Sequence, residues 1–218
     1  KGKSSWVEID NSEFWMEGMP KTEIVQHQSG KLADLIVNEA ALAYHVPMKH
    51  VRRSIMFVRD PGYFVMIDKI EAVDSSHKYS WRIHLNNRDS LGKIEEINDG
   101  HWRFLRPLAG LDIYLFADQK LETNIGEGYI HGPVRDYSPG GVNEGKAGSS
   151  IELEAFNLEK YKSLTFYSVL FPSKEGMVVP HIEFRGNTVC VGKDKLADDG
   201  TNYVLLKDGQ TERFKLDN

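Results

Sequence analysis

Apolar and polar residues alternate over several stretches of the chain, and this two-residue period limits the possible folds more than any other feature. The clearest stretch is residues 77–85, and the pattern returns at residues 111–117 and 151–155. Successive side chains of a β-strand point to opposite faces, so each stretch is predicted to be a strand with one side in the core. In the first stretch the predicted core side carries Tyr79, Trp81, Ile83 and Leu85, opposite Lys78, Ser80, Arg82 and His84.

Turn-forming residues separate these and other apolar runs. The tripeptide Asp60-Pro61-Gly62 divides residues 54–58 from residues 63–70, which predicts a hairpin. The dipeptides Gly186-Asn187 and Asp208-Gly209 predict two further tight turns. Additional strands are predicted at residues 102–105, 164–171, 181–185, 188–192, 203–207 and 212–216.

Together these strands predict an all-β protein, an antiparallel β-sandwich of the supersandwich kind with little helix, in a single domain over residues 1–218. Residues 31–43 fit either a helical stripe or a strand. The segment 122–150 contains seven glycines and two prolines and is predicted to be a long Gly-rich loop. The core is expected to include Val65, Ile67, Trp81 and Ile83.

Composition excludes several classes of protein. The formal net charge of −5 argues against a nucleic-acid partner, which needs a concentrated basic face. Cys190 is the only cysteine, so an internal disulfide and a four-cysteine zinc site are excluded, and the residue is expected to be buried. No apolar run reaches the length of a membrane span. Residues 1–5 lead directly into Trp6 without a signal peptide, which indicates an N-terminus produced by processing or trimming.

One segment carries a resemblance to a known family. From His50 to Asp68 the chain has a basic start, an apolar strand, a turn, and a second apolar strand that begins at Tyr63 and ends on an aspartate. A His- and Tyr-containing strand follows at residues 77–85. This succession resembles the C-terminal β-sandwich part of the heparinase II/III-like polysaccharide lyases, and residues 166–172 are similar to a late strand of those proteins.

The resemblance implies a bacterial, periplasmic or secreted protein that cleaves uronic-acid-containing polysaccharides by β-elimination when it is complete. Such lyases carry a helical toroid before the β part, with the catalytic His and Tyr on it, and neither feature maps onto this chain. No catalytic residue is therefore expected here. The family's His-x-His-x-Asp metal element is also absent, since His45 and His50 have a different spacing, so no metal or other cofactor is expected.

Basic residues on the predicted strands are the first candidates for substrate binding. Arg52 and Arg53 can pair with a uronate carboxylate, or they can form structural ion pairs with acidic residues of a neighbouring strand. Arg82 and His84 share one strand face, which either lines a cleft for an acidic glycan or is a solvated sheet surface. Asp68 is expected to be a turn or cross-strand partner rather than a catalytic group.

The Gly-rich segment supplies the remaining candidates, which are Tyr129, His131, Arg135 and Tyr137. Aromatic, basic and imidazole side chains together can clamp a sugar, and a Tyr/His pair can carry out the proton transfers of β-elimination. The alternative is an ordinary surface loop. For the whole chain, the alternative to a lyase module is an independent carbohydrate-binding or mutarotase-like β domain.

Overall fold

A computed structural model describes residues 22–44, 46–87, 89–131, 148–174 and 177–217. Within these residues the chain forms sixteen strands in three antiparallel sheets, and its helical structure is limited to a 3₁₀ turn at Ala41–Ala43. The predicted all-β, antiparallel sandwich is therefore confirmed. In the described part of the chain no helix is long and apolar enough to cross a membrane.

The largest sheet, called here the central sheet, has eight strands in the order β1-β2-β3-β4-β11-β8-β7-β6. Its strands are β1 (Glu23–Ser29), β2 (Ala33–Glu39), β3 (Met48–Val58), β4 (Tyr63–Ala72), β6 (Lys93–Asn98), β7 (His101–Arg106), β8 (Ala109–Ala117) and β11 (Ser163–Ser173).

Two smaller sheets complete the fold. The outer sheet has the order β5-β10-β9 and consists of β5 (Ser80–Asn86), β9 (Leu121–His131) and β10 (Gly148–Asn157). The meander sheet runs in chain order through β12 (Ile182–Arg185), β13 (Thr188–Val191), β14 (Asp194–Asp198), β15 (Asn202–Lys207) and β16 (Gln210–Lys215).

The central sheet lies between the other two sheets, as the side chains of β11 show. Tyr167 and Val169 belong to a core shared with the meander sheet, whereas Leu164 and Phe166 belong to a core shared with the outer sheet. Both faces of β11 are buried, which explains why its sequence is a nearly continuous apolar run rather than an alternating one.

The two covering sheets are offset along the central sheet. The core under the meander sheet draws on β2, β3, β4 and β11, whereas the core under the outer sheet draws mainly on β7, β8 and β11. Among the described residues, β2 and β3 contribute no side chain to the second core. One face of β3 therefore lies beyond the edge of the outer sheet.

The turn and register predictions are confirmed. The predicted hairpin is β3–β4, and Asp208 and Gly209 both have positive φ, at 49° and 74°, as a tight type I′ turn between β15 and β16 requires. Trp81, Val65 and Ile67 are buried, and Ile83 packs against the same core as Trp81. Cys190 is buried as expected.

The Gly-rich segment differs from its prediction. Residues 122–131 and 148–150 belong to β9 and β10 rather than to a loop, and residues 132–147 lie outside the described residues. Gly126 is tolerated within β9 because, in the described sheet, β9 is an edge strand next to β10. A side chain at this position would have nothing within 4 Å to pack against, so its absence loses no contact. The ambiguous stretch 31–43 is β2 followed by the 3₁₀ turn.

Candidate functional site

A groove lies on the face of β3 and β4 that the outer sheet leaves open. Two adjoining cavities of about 210 and 290 Å³ form it, and both are lined by Tyr44, Val51, Ile70 and Ser80. The first cavity reaches the floor of the sheet at Arg53 and Asp68, and the second extends past Tyr79. The groove therefore combines a charged floor with aromatic walls.

The charged floor is an ion pair between two directly opposed strand residues. Arg53 and Asp68 are register partners in β3 and β4. The Arg53 Nε donates to Asp68 Oδ1 at 2.6 Å and its Nη2 donates to Oδ2 at 3.1 Å, so the pairing is bidentate. The Asp68 side chain is 9% exposed and the Arg53 side chain is 44% exposed, so the guanidinium is the part of the pair that a ligand can reach.

The two partners influence each other's titration in opposite ways. Burial raises the pKa of the Asp68 carboxyl above its ordinary value, and the hydrogen bonds and charge of Arg53 offset only part of that effect. Burial alone would lower the pKa of Arg53, but the carboxylate of Asp68 raises it above the ordinary value. The guanidinium therefore stays charged at the floor of the groove.

Trp81 supplies a second polar group to the first cavity. Its side chain is 2% exposed, it lines the cavity, and its indole Nε1 is buried without a hydrogen-bond partner in the described part of the chain. An unpaired buried donor costs free energy, which an acceptor atom entering the cavity would recover. The cavity therefore exposes one donor, the Arg53 guanidinium, and the Trp81 indole beside it holds a second donor that is buried and unpaired.

Tyrosines form the walls of the groove. Tyr44 follows the 3₁₀ turn and is 54% exposed, and Tyr79 donates its hydroxyl to the carbonyl of Lys162 at 3.2 Å. Exposed aromatic faces beside hydrogen-bonding groups suit the alternating C–H and O–H surfaces of a sugar ring.

Glu39 holds the turn that presents Tyr44. Its Oε1 accepts backbone N–H groups from Ala40, Ala41 and Val51 at 3.1, 3.0 and 2.8 Å. Burial acts to raise the pKa of Glu39, but the hydrogen bonds from Val51 and Ala41 together with the contact to His50 outweigh it, so the pKa lies below the ordinary value. The carboxylate is therefore a structural anchor for the wall of the groove.

The structure separates the residues that were predicted to bind substrate. Arg52 is among the residues that line the first cavity, but the two-residue period of β3 directs its side chain away from Arg53. Its Nε is 3.5 Å from Glu39 and its Nη1 donates to the carbonyl of Asp217 at 3.2 Å. The structural ion-pair interpretation describes both arginines, and Asp68 is the cross-strand partner that was expected.

Arg82 and His84 lie on the exposed face of the outer sheet, away from the groove. Arg82 donates to Glu154 from Nε and Nη2, at 2.9 and 2.6 Å, and His84 Nδ1 is 3.3 Å from Glu152. These contacts are cross-strand ion pairs between β5 and β10 on the solvent-exposed face of the outer sheet. The acidic partners offset the basic residues, so this face is not a basic cleft.

The remaining predicted residues have little structural description. The backbones of Tyr129 and His131 belong to β9, but their side chains lie outside the described part of the chain. Arg135 and Tyr137, and also His45, lie outside the described residues. Among the residues that the structure describes, no three His, Cys, Asp or Glu side chains are placed to hold a metal ion.

Sequence reasoning missed Tyr44 and treated Trp81 only as a core residue. The sequence did contain a signal for the ion pair. Val58 lies opposite Tyr63 across the turn, and counting five residues away from the turn on each strand places Arg53 opposite Asp68. The exposed position of Tyr44 depends on the 3₁₀ turn and on Glu39, and nothing in its local sequence signals that.

The fold is shared with part of several solved lyase structures. The chain is similar to a mutant of heparan sulfate lyase HepC from Pedobacter heparinus, with 18% identity and a TM-score of 0.61 over 90% of this chain and 28% of that one. A heparinase III gene product gives 15% identity and a TM-score of 0.62 over 90% and 28% of the two chains. A further heparinase III structure has 13% identity and a TM-score of 0.60, over 89% of this chain and 27% of that one.

These likenesses show a shared fold, and the chain spans little more than a quarter of the length of each of the three structures. No protein-family model and no curated protein matches the sequence. The predicted resemblance to the β part of heparinase-type lyases is thus confirmed at the level of the fold.

Proposed function

We propose that this chain is the β-sandwich module of a bacterial polysaccharide lyase of the heparinase II/III type, periplasmic or secreted. In the complete protein it would pack against an N-terminal helical toroid and form one side of the cleft for a uronic-acid-containing glycan. The observation that carries this proposal is the fold shared over 90% of the chain with a structure named heparan sulfate lyase.

The groove supports a substrate-contacting role for the module. A uronate presents a carboxylate, and Arg53 uses Nε and Nη2 for Asp68, which leaves Nη1 with no hydrogen bond to another described residue. The Trp81 N–H is a second donor, and Tyr44 offers an aromatic face at the mouth. These groups can orient a glycan through its carboxylate and one ring face.

The chemistry of β-elimination would come from elsewhere in the complete protein. A base must remove the proton next to the uronate carboxylate, and an acid must protonate the leaving oxygen. Arg53 and Trp81 bind and orient but are not suited to either proton transfer, since the guanidinium stays protonated and the indole N–H is not a practical acid. Tyr44 is assigned to the ring face of the sugar, as a wall of the groove. The module therefore positions the substrate and is not catalytic alone.

A second candidate function is an independent carbohydrate-binding or mutarotase-like domain. It is favoured by the exposed Tyr44 ring beside the Arg53 guanidinium in the first cavity, a pair of groups that can hold a sugar without a second domain. The two candidate functions differ in whether the groove acts together with a second domain. A lyase module depends on the toroid for its activity, whereas an independent domain binds, or interconverts, its sugar without a partner.

Calorimetric titration with a heparan sulfate tetrasaccharide tests the groove. Trp81→Phe keeps an aromatic ring, though a smaller one, but removes the N–H, and Tyr44→Ala removes the exposed wall. Each is expected to weaken binding about fivefold, the worth of one modest contact. The matched control is Arg82→Ala on the outer sheet, which should bind like the unmodified chain. Equal affinity in all four proteins would contradict the groove as the glycan site.

A further inference from the structure

A third cavity, separate from the two that form the groove, lies where the three sheets meet. It has a volume of about 360 Å³, and its walls come from Trp102 of β7, Phe116 of β8, Thr123 of β9 and Phe184 of β12. None of its lining residues lines the groove on β3 and β4. Its volume falls at the lower end of the roughly 300–1,000 Å³ that is usual for small-molecule sites.

Aromatic rings and unpaired polar groups share this cavity. The Phe116 and Phe184 rings are stacked with centroids 5.6 Å apart, and they join the central sheet to the meander sheet. Gln119 and Lys120 lie in the β8–β9 connection and Thr123 lies near the start of β9, and none of the three makes a side-chain hydrogen bond or ion pair within the described part of the chain. A partly apolar pocket with a few unpaired polar groups is the usual make-up of a small-molecule site.

The indole N–H of Trp102, a separate observation, lacks a hydrogen-bond acceptor among the described residues. Trp102 is 1% exposed, it lines the cavity, and its indole Nε1 is buried. Buried donors are nearly always paired in folded proteins, since leaving one unpaired costs free energy. Because the N–H is itself buried, an acceptor can reach it only if a neighbouring side chain moves.

Gly100 fixes one wall of the cavity. It has φ of +75°, and a Cβ at this position would lie 2.8 Å from the carbonyl oxygen of Leu115. The Gly100 carbonyl in turn accepts the N–H of Leu115 at 2.9 Å. The β6–β7 turn is thus drawn tightly against β8, so the cavity is bounded on this side by rigid backbone.

We propose that this cavity binds one glycosyl residue, as a second glycan site separate from the groove. The phenyl rings would contact the apolar face of the sugar, the Trp102 N–H would donate to a ring or hydroxyl oxygen, and Lys120 favours a sugar that carries a carboxylate or sulfate. The choice of an acidic sugar rests on the proposed function, whereas occupancy of the cavity does not.

Titration of the chain with the same heparan sulfate tetrasaccharide tests this site in a background in which groove binding is weakened. In Trp81→Phe/Tyr44→Ala, residual binding is expected, and adding Trp102→Phe should weaken that residual binding about fivefold. Gln119→Ala changes only the rim, so a loss of binding in this variant cannot come from misfolding of the core. It should also weaken the residual binding.

The outcomes separate the second site from the proposed function. Residual binding that neither Trp102→Phe nor Gln119→Ala changes would overturn the site, and so would the absence of residual binding. If the groove variants leave the affinity of the chain unaltered while Trp102→Phe lowers it, the second site stands and the groove of the proposed function fails.

Discussion

Arg53 lies directly opposite Asp68 across the β3–β4 hairpin, and its guanidinium binds both oxygens of a carboxylate that is nearly removed from solvent. The pair is asymmetric, because the acid is buried and the base is half exposed. It both closes the floor of the groove and leaves a cationic surface within reach of a ligand.

The asymmetry predicts unequal effects of removing either partner. Arg53→Ala leaves a buried carboxylate unpaired and should lower the free energy of unfolding by about 3 kcal/mol. Asp68→Asn leaves the half-exposed arginine able to reach water and should cost only about 1 kcal/mol. Urea denaturation measures both changes.

The control is Lys49→Ala, which breaks an exposed pair with Glu71 and should change stability by less than about 0.5 kcal/mol. Equal losses for the two groove variants would contradict the asymmetry.

A second stability prediction concerns the β1–β2 turn. Glu212 of β16 accepts the backbone N–H groups of Lys31, Leu32 and Ala33 at 2.7, 2.8 and 3.2 Å. A Cβ on Gly30 would lie 2.5 Å from the Glu212 carboxyl carbon, so Gly30→Ala is expected to expel the carboxylate and cost about 1–2 kcal/mol.

Two further variants check that explanation. In a Glu212→Ala background, Gly30→Ala should add almost nothing, because both changes remove the same contact. Gly126→Ala is the matched control, since its Cβ meets nothing within 4 Å. Additive losses in the double variant would show that Gly30 acts in some other way.

Acid stability should depend on Asp199. Hydrogen bonds from the Thr201 backbone and hydroxyl and from the Asn202 backbone lower the pKa of Asp199 to about 2, from an ordinary value of 3.8. Because the folded-state pKa is the lower one, this stabilisation is complete above the ordinary value and is lost as the pH falls toward 2. Urea midpoints measured between these two values should therefore fall less steeply for Asp199→Asn than for the unmodified chain. Parallel curves would contradict this role.

The sequence predicted most strands because they alternate, and it missed those in which alternation is hidden. β14 was missed because its buried positions include Asp194 and Asp198, which pair with Lys207 and Lys69. β6 was missed because it is an edge strand with almost every side chain exposed. In β14 buried charged residues take the place of apolar ones, and in β6 almost no position is buried. Neither strand therefore shows the alternation of apolar and polar residues on which strand prediction relies.

The candidate site was predicted less well than the fold. Arg53 could be placed opposite Asp68 from the turn alone, since a hairpin fixes its own register. For Arg82 and His84 the sequence left open a cleft or a solvated sheet surface, and it did not show that Glu152 and Glu154 of β10 pair with them. That contact joins strands about seventy residues apart, which local spacing does not specify. The groove likewise depends on how far the outer sheet extends over the central sheet.

The most direct test of the account is an elimination assay on heparan sulfate, which follows the ultraviolet absorbance of the unsaturated uronate product. We predict no product from this chain alone, and product from a longer protein in which a helical domain precedes it. In that longer protein Trp81→Phe should lower kcat/KM about fivefold, while Arg82→Ala should leave it unaltered. Robust product formation by the isolated chain, or a longer protein without elimination activity on any uronic-acid-containing glycan, would contradict the account.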